Sequence, residues 1–163
     1  MIDQIAHVVT VYRRQRAGQR LVDSILRRWP EARIYVCDDS PEPTTYEGAK
    51  DVPAGNHDIG AAAKRNVLFE AAEEPYVMIY DEDFLVTDAT DLVPFWAVIQ
   101  SLDDVGIVCG ELRHPENGRP TWFTGDLFVD GVVSRIEGPG PPQTLQWDGK
   151  QIRYNRVDIG LQW

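Results

Sequence analysis

Cysteine is scarce in this 163-residue chain. Cys37 and Cys109 are its two cysteines, and each closes an apolar run. They read as buried thiols, which argues against a disulfide-stapled secreted scaffold and against a thiolate metal site. Histidine is nearly as sparse, with three residues. His7 sits in an apolar run and reads as a strand residue, whereas His57 and His114 fall in loop-like stretches, so no Ser-His-Asp order can be assigned. No apolar stretch approaches the roughly 20 residues that a membrane-crossing helix needs. The start, Met1-Ile2-Asp3-Gln4, lacks the basic and apolar regions of a signal peptide, which together with the free thiols fits a reducing cytoplasm. Positive charge is in short supply: 16 Lys and Arg stand against 26 Asp and Glu, a net charge of −10. Whole-surface attraction to nucleic acid or anionic membrane needs the opposite balance. The local exception is an early basic segment carrying Arg13, Arg14, Arg16, Arg20, Arg27 and Arg28. A G-x-x-x-x-G-K-[ST] sequence is also missing, which argues against a phosphate-loop enzyme. What remains is an ordinary globular composition, 43% hydrophobic and 26% charged, long enough for one domain with a real core.

The feature that stands out is Asp81-Glu82-Asp83, directly after the apolar run Tyr76-Val77-Met78-Ile79-Tyr80. The run follows Pro75 and reads as a buried strand. Three carboxylates then arrive where the strand should leave its sheet, which is where open α/β sheets bind ligands. Like charges so close repel unless something positive sits among them. A hard divalent cation suits such a site, because magnesium takes oxygen ligands and shares them with substrate phosphates. A lone D-x-D would read as a solvated turn. Here a second acidic strand end, Asp38-Asp39, shifts the balance toward a metal–phosphate site.

The rest of the chain alternates. Residues 5–11 read as a first strand. Residues 16–29 carry Leu21, Ile25, Leu26 and Trp29 at helical spacing until Pro30 stops them. Residues 33–37 form a second strand ending at Asp38-Asp39-Ser40. Residues 41–57, rich in Pro, Gly and Thr, read as a loop. Asp58 can cap a helix running to about residue 72. After the strand before Asp81, a helix starting at Asp88 or Thr90 would place Leu92, Phe95, Trp96, Ile99 and Leu102 on one face. Residues 105–112 read as a fourth strand. The alternation predicts a mostly parallel sheet with helices on both faces. Beyond Arg113 the pattern changes. Asp130-Gly131 and Asp148-Gly149 each separate strand-like runs, a hairpin signal because both turn positions need positive φ. One domain over 1–163 is expected, with a nucleotide-binding α/β half at 1–112 and an antiparallel, acceptor-side half at 113–163. The last residues, ending on Trp163, look like the middle of a structured element. An exposed edge there would await cover by a partner chain or a second copy.

Between the two acidic strand ends lies Gly60-Ala61-Ala62-Ala63-Lys64-Arg65-Asn66. Small residues let a helix start lie close to a ligand, and Lys64 and Arg65 supply positive charge one turn in. Taken alone, each is ordinary helix composition. Flanked by carboxylates, they point to a nucleotide-diphosphate pocket.

In this order the motifs resemble the GT-A glycosyltransferases, in particular the branch of the ganglioside-type β-1,4-N-acetylgalactosaminyltransferases and related bacterial and phage proteins. The matching pieces are Thr10-Val11-Tyr12-Arg13, Asp38-Asp39-Ser40, Ala63-Lys64-Arg65-Asn66, and Asp81-Glu82-Asp83-Phe84 followed by Val86-Thr87, as in the branch's D-D-D-F-x-x-T pattern. Asp126 to Gly131 and Val157 to Leu161 match more loosely. The resemblance implies a transferase that takes a sugar from a nucleotide sugar, UDP-linked, with manganese or magnesium. Thr10 and Arg13 would border the nucleotide. Asp39, with Asp38 beside it, would accept the donor hydrogens of uracil and ribose. Lys64 and Arg65 would lie near the base or diphosphate. Asp81 would reach the ribose side and the metal, and Asp83 would hold the metal against both phosphates. Glu82 stands where the branch has aspartate, and as the middle residue it is expected to point away. In inverting relatives the carboxylate that deprotonates the acceptor lies beyond the segment matching Val157 to Leu161. Asp126 and Asp158 are the candidates for that base here, and the chain is expected to be weak alone, or truncated, split or self-associating. Trp122 and Phe123 are candidates for the acceptor side, where the acceptor would be a glycan or a nucleic-acid base. Two further readings stand beside this one. A non-catalytic or partial nucleotide-sugar-binding module would be completed by a partner chain. A nucleotidyltransferase would want a Gly-rich loop after the first strand, and residues 10–20 have only Gly18.

Overall fold

A computed structural model describes residues 1–108 and 142–154 in full, and the backbone of three further strands at 122–130, 133–137 and 159–162. Two compact units divide at Thr90, Met1–Thr90 and Asp91–Trp163, whereas the sequence pattern placed the division at 112.

The first unit is built on a parallel sheet of four strands in the order β3-β2-β1-β4, with β1 at Ile5–Val11, β2 at Arg33–Asp38, β3 at Lys50–Asp51 and β4 at Tyr76–Asp81. Strand β1 is central and buried at all seven positions, which is why it reads as an apolar run interrupted only by His7 and Thr10. Its side chains alternate between two helices. Val9 and Val11, with Ile34 and Val36 of β2, pack on Leu21, Val22 and Ile25 of α1, Gln15–Arg28. Ala6 and Val8, with Tyr35 and Cys37, pack on Leu68 of α2, Ala61–Ala71. The helices therefore cover opposite faces, as the alternating pattern predicts. Leu21, Val22 and Ile25 are fully buried, each worth roughly 1.5–3 kcal/mol of transfer free energy. Trp29 closes α1 with its N–H on the Ile25 carbonyl at 2.7 Å, and Pro30 follows.

Two local expectations are corrected. Asp58 does not cap α2. It sits at φ 53°, Gly60 is the N-cap at φ 86°, and no side chain caps the helix. The reason is that the Asp58 N–H donates to the Asp39 carbonyl at 2.8 Å, so this loop is tied to the end of β2 and the helix starts later. Within the 41–57 loop, the two-residue strand Lys50–Asp51 pairs with Tyr35 and Val36. It was unreadable because two polar residues carry no periodicity.

His7 lies in the sheet as expected of a strand histidine. It is fully buried, its Nδ1 is 3.0 Å from the Tyr80 hydroxyl, and its ring lies against Trp29 and Tyr80. Its Nε2 is buried without a partner. Burial therefore lowers its pKa from 6.5 to about 4. The unfolded chain takes up this proton first. The associated stability is complete above about pH 6.5 and falls by about 3 kcal/mol as the pH drops to about 4. Urea denaturation at pH 7.5 and pH 5 should show wild type losing more stability than His7→Leu. Equal losses would show that His7 does not titrate in this window.

The second unit holds α3, Val93–Ser101, and five strands: β5 (Trp122–Asp130), β6 (Val133–Glu137), β7 (Gln143–Trp147), β8 (Lys150–Tyr154) and β9 (Ile159–Gln162). Pairing is antiparallel throughout, β5 with β6 and β9, and β7 with β8. Asp148 and Gly149 join β7 to β8 with φ of 47° and 73°, as a two-residue Asp-Gly hairpin demands. Ala97 and Val98 of α3 pack on Ile152 of β8, with Leu145, Trp147 and Tyr154 around them. Pro94 in the first turn sets the start of α3 later than Asp88 or Thr90, so Ala97 and Val98, not Phe95, Trp96 and Ile99, are its buried residues. Residues 105–108 form no strand, and Ile107 is 83% exposed. The remainder of the expected fourth strand, with Cys109, lies outside the described residues.

Candidate functional site

Strand order places the site. From β1 the chain moves to β2 and β3 on one side and returns to β4 on the other, so the order reverses between β1 and β4. Ligands bind in the crevice outside the carboxyl ends of strands at such a point. The register brings the predicted residues together there: Thr10 is paired with Asp81, and Val11 with Asp38.

The acidic end of β2 is occupied from within. Asp38 is buried, and four groups donate to it. One oxygen receives the Ser40 N–H at 2.9 Å and the Ser40 hydroxyl. The other receives the Thr44 N–H at 3.3 Å and the Tyr46 hydroxyl at 2.8 Å. Burial, with the Asp38 carboxylate beside it, pushes the Tyr46 hydroxyl pKa well up, so Tyr46 stays a donor. Asp38 thus organises the 40–46 loop, with both its carboxylate oxygens engaged there. Asp39 is likewise enclosed. Lys64 Nζ donates to its Oδ1 at 2.7 Å and the Gly60 N–H to its Oδ2 at 3.3 Å, with the two side chains only 1% and 7% exposed. Lys64 Nζ also donates to the Val11 carbonyl at 3.0 Å and lies 5.7 Å from the Tyr12 ring centroid. Every direction of that ammonium is used. Lys64 therefore ties together the ends of β1 and β2, and is not placed to reach a phosphate.

The acidic end of β4 is different. Asp81 and Asp83 keep 42% and 56% of their side chains exposed, and Glu82 between them only 16%. The Phe84 N–H closes the turn on the Asp81 carbonyl at 3.1 Å, and the Val86 N–H is held by the Ser24 hydroxyl of α1 at 3.1 Å. Asp81 Oδ1 accepts from Arg65 at 2.9 Å and from the Thr10 hydroxyl at 3.4 Å. Arg65 Nε is buried with no partner. Arg13 is in the left-handed region at φ 59°, its N–H on the Ser40 hydroxyl at 2.7 Å and its guanidinium 5.0 Å from the Tyr12 ring centroid. A non-glycine residue held there stores strain of a kind that collects at ligand sites.

Arg14 is the residue the sequence reading missed. Its Nη1 lies 3.0 Å from Asp83 Oδ2 and 3.7 Å from Glu82 Oε1. The positive charge that three adjacent carboxylates require is supplied by Arg14 and Arg65. Nothing local distinguishes Arg14 from the five other early arginines, because its role depends on where α1 docks.

A divalent cation fits this donor set when it is shared with a diphosphate. Asp81 and Asp83 offer two accessible carboxylates, and magnesium typically takes one or two of these and completes its shell with phosphate and water. Among the described residues no group of three or more His, Cys, Asp and Glu could hold a metal unaided. Asp126 lies in β5 opposite Glu137, and Trp122 and Phe123 lie opposite Gln162 and Leu161, but their side chains are outside the described residues, as is Asp158 altogether. No helix among the described residues is long and apolar enough to cross a membrane.

Two solved structures are similar. The chain is 22% identical to S. aureus TarS, covering 49% of this chain and 16% of that one with a TM-score of 0.43. It is also 22% identical to S. aureus TarS 1-349, covering 60% of this chain and 32% of that one with a TM-score of 0.49. The chain thus spans a third or less of either TarS chain, and likenesses this distant say nothing more about it. Among curated proteins no match is found. The model of the family described as Glycosyl transferase family 2 matches residues 7–156, which takes in nearly all of the parallel sheet, the carboxylates at its switch point and strands β5 to β8, and the chain belongs to that GT-A family.

Proposed function

We propose that this chain binds a UDP-sugar together with manganese or magnesium and transfers the sugar to an acceptor hydroxyl. The observation that carries this reading is the side-chain cluster at the carboxyl ends of β1 and β4, the switch point of the sheet, where accessible Asp81 and Asp83 stand with Arg65 and Thr10. Asp81 and Asp83 would hold the cation, which stabilises the charge that develops on the departing diphosphate. Arg65 would orient the diphosphate through its fork of donors, and Arg13 and Thr10 would border the nucleotide. Asp38, Asp39 and Lys64 act behind these residues by fixing the strand ends. The D-x-D-F-x-x-T run, with Phe84 and Thr87 in place, supports the ganglioside-type branch and hence uridine as the base. Asp126 or Asp158 would serve as the base toward the acceptor, with Trp122 and Phe123 on the acceptor side. The acceptor is a glycan or a modified nucleic-acid base that carries a hydroxyl.

A thermal-shift panel of nucleotide sugars with and without manganese tests this. At a hundred times Kd, a ligand adds about 2.7 kcal/mol, which for a chain of this size is a shift of roughly 5–10 °C. UDP-sugars with manganese should give it, and the metal-free samples should not. Asp83→Asn should abolish the metal-dependent shift. Its own stability should change by less than about 1 kcal/mol, because the pair with Arg14 is exposed. No shift with any nucleoside diphosphate at millimolar concentration would overturn the assignment. Binding without transfer would favour a nucleotide-sugar-binding module.

A further inference from the structure

Each aspartate of the D-x-D turn is held by an arginine from a different helix. Arg14, the N-cap residue of α1, sits on Asp83 at 3.0 Å, and Arg65 of α2 sits on Asp81 at 2.9 Å. A guanidinium on one carboxylate oxygen competes with a cation for that carboxylate, because the two positive charges repel if both stand on it. Arg14 and Asp83 are 60% and 56% exposed, so exchanging this partner requires no opening of the core. We propose, on the reading above, that Arg14 is the cation's placeholder on Asp83 and transfers to the diphosphate when the metal arrives with the nucleotide. Without nucleotide the cation takes Asp83 from Arg14, whose guanidinium keeps only its longer contact with Glu82 at 3.7 Å. With nucleotide the displaced guanidinium regains a close anionic partner. Arg14 therefore makes cation and nucleotide strengthen each other's binding, and by linkage the strengthening is the same in both directions. This discourages futile loading of the crevice with free metal. It also makes Arg14 a binding residue for the metal–diphosphate unit as a whole.

Manganese uptake by the full chain, followed by calorimetry or by loss of the free manganese paramagnetic signal, tests this with and without UDP. Arg14→Gln should bind manganese alone roughly two- to fivefold more tightly than wild type, the equivalent of an exposed ion pair. It should bind manganese-UDP about tenfold more weakly, the equivalent of one lost charge-assisted hydrogen bond. Arg27→Gln, which makes the same charge change on an exposed residue of α1, should match wild type in both arms. The inference is overturned if Arg14→Gln binds free manganese no more tightly than wild type, if it binds manganese-UDP as tightly, or if Arg27→Gln reproduces either change. If wild-type protein takes up no manganese even with UDP, the metal-dependent reading itself falls, and that result is distinct because it appears before any variant is made.

Discussion

Lys64→Met should destabilise the first unit by about 3–5 kcal/mol, a fall in melting temperature of roughly 6–20 °C. The Lys64 ammonium bonds Asp39 at 2.7 Å and the Val11 carbonyl at 3.0 Å, with both charged side chains almost wholly buried. Methionine keeps the length and apolar stem but leaves Asp39 as a buried, uncompensated carboxylate. The cost is that of stranding a charge, which exceeds what the intact pair contributes. The companion variant separates these. Asp39→Leu together with Lys64→Met removes both charges, and replacing a buried pair by apolar groups is often near neutral. The double variant should recover much of the loss, less the bond from the Gly60 N–H to Asp39. Urea denaturation of the two proteins decides it. A Lys64→Met protein within about 1 kcal/mol of wild type would show that this pair does not hold the strand ends together.

The same two residues show what a sequence can and cannot convey. β1 and β2 were legible because parallel strands covered on both faces are mostly apolar, β4 was legible as the apolar run 76–80 although Val77 and Ile79 are exposed, and α1 was legible through Leu21 and Ile25 one turn apart. Asp148-Gly149 was legible because few dipeptides accept two positive φ values. Lys64 and Arg65 were read alike, as two cations on a helix, yet adjacent residues on a helix point about 100° apart and only one can face the sheet. A usable signal was present. Leu68 is fully buried, and Lys64 lies four residues before it on the same face, so the face that carries the core also carries Lys64. Arg14 offered no such signal. It is one of several exposed arginines, and only the docking of α1 against the turn after β4 brings it to Asp83. The carboxylates were legible as a cluster at a strand end, but their partners were not, because those partners come from elements far away in sequence.

Arg65→Ala should have the opposite profile to Lys64→Met. Its pair with Asp81 is exposed by 38% and 42%, so removing it should change stability by less than about 1 kcal/mol. The large effect should be on ligand. The buried Arg65 Nε has no partner in the free chain, and the other end of the guanidinium holds Asp81 at the mouth of the crevice. An oxygen of a bound diphosphate would accept a charge-assisted hydrogen bond from the exposed end of that guanidinium, worth about 1.5–3 kcal/mol. Arg65→Ala should therefore weaken manganese-UDP binding by roughly 10- to 100-fold while melting near wild type. Arg65→Lys keeps the charge but not the planar fork, so it should recover only part of the affinity. Calorimetric titration of UDP with manganese, set beside urea denaturation of the same samples, separates the two neighbours. If Arg65→Ala binds as wild type does but unfolds as readily as Lys64→Met, Arg65 is a second structural ion pair, and the diphosphate must be held elsewhere on the crevice rim.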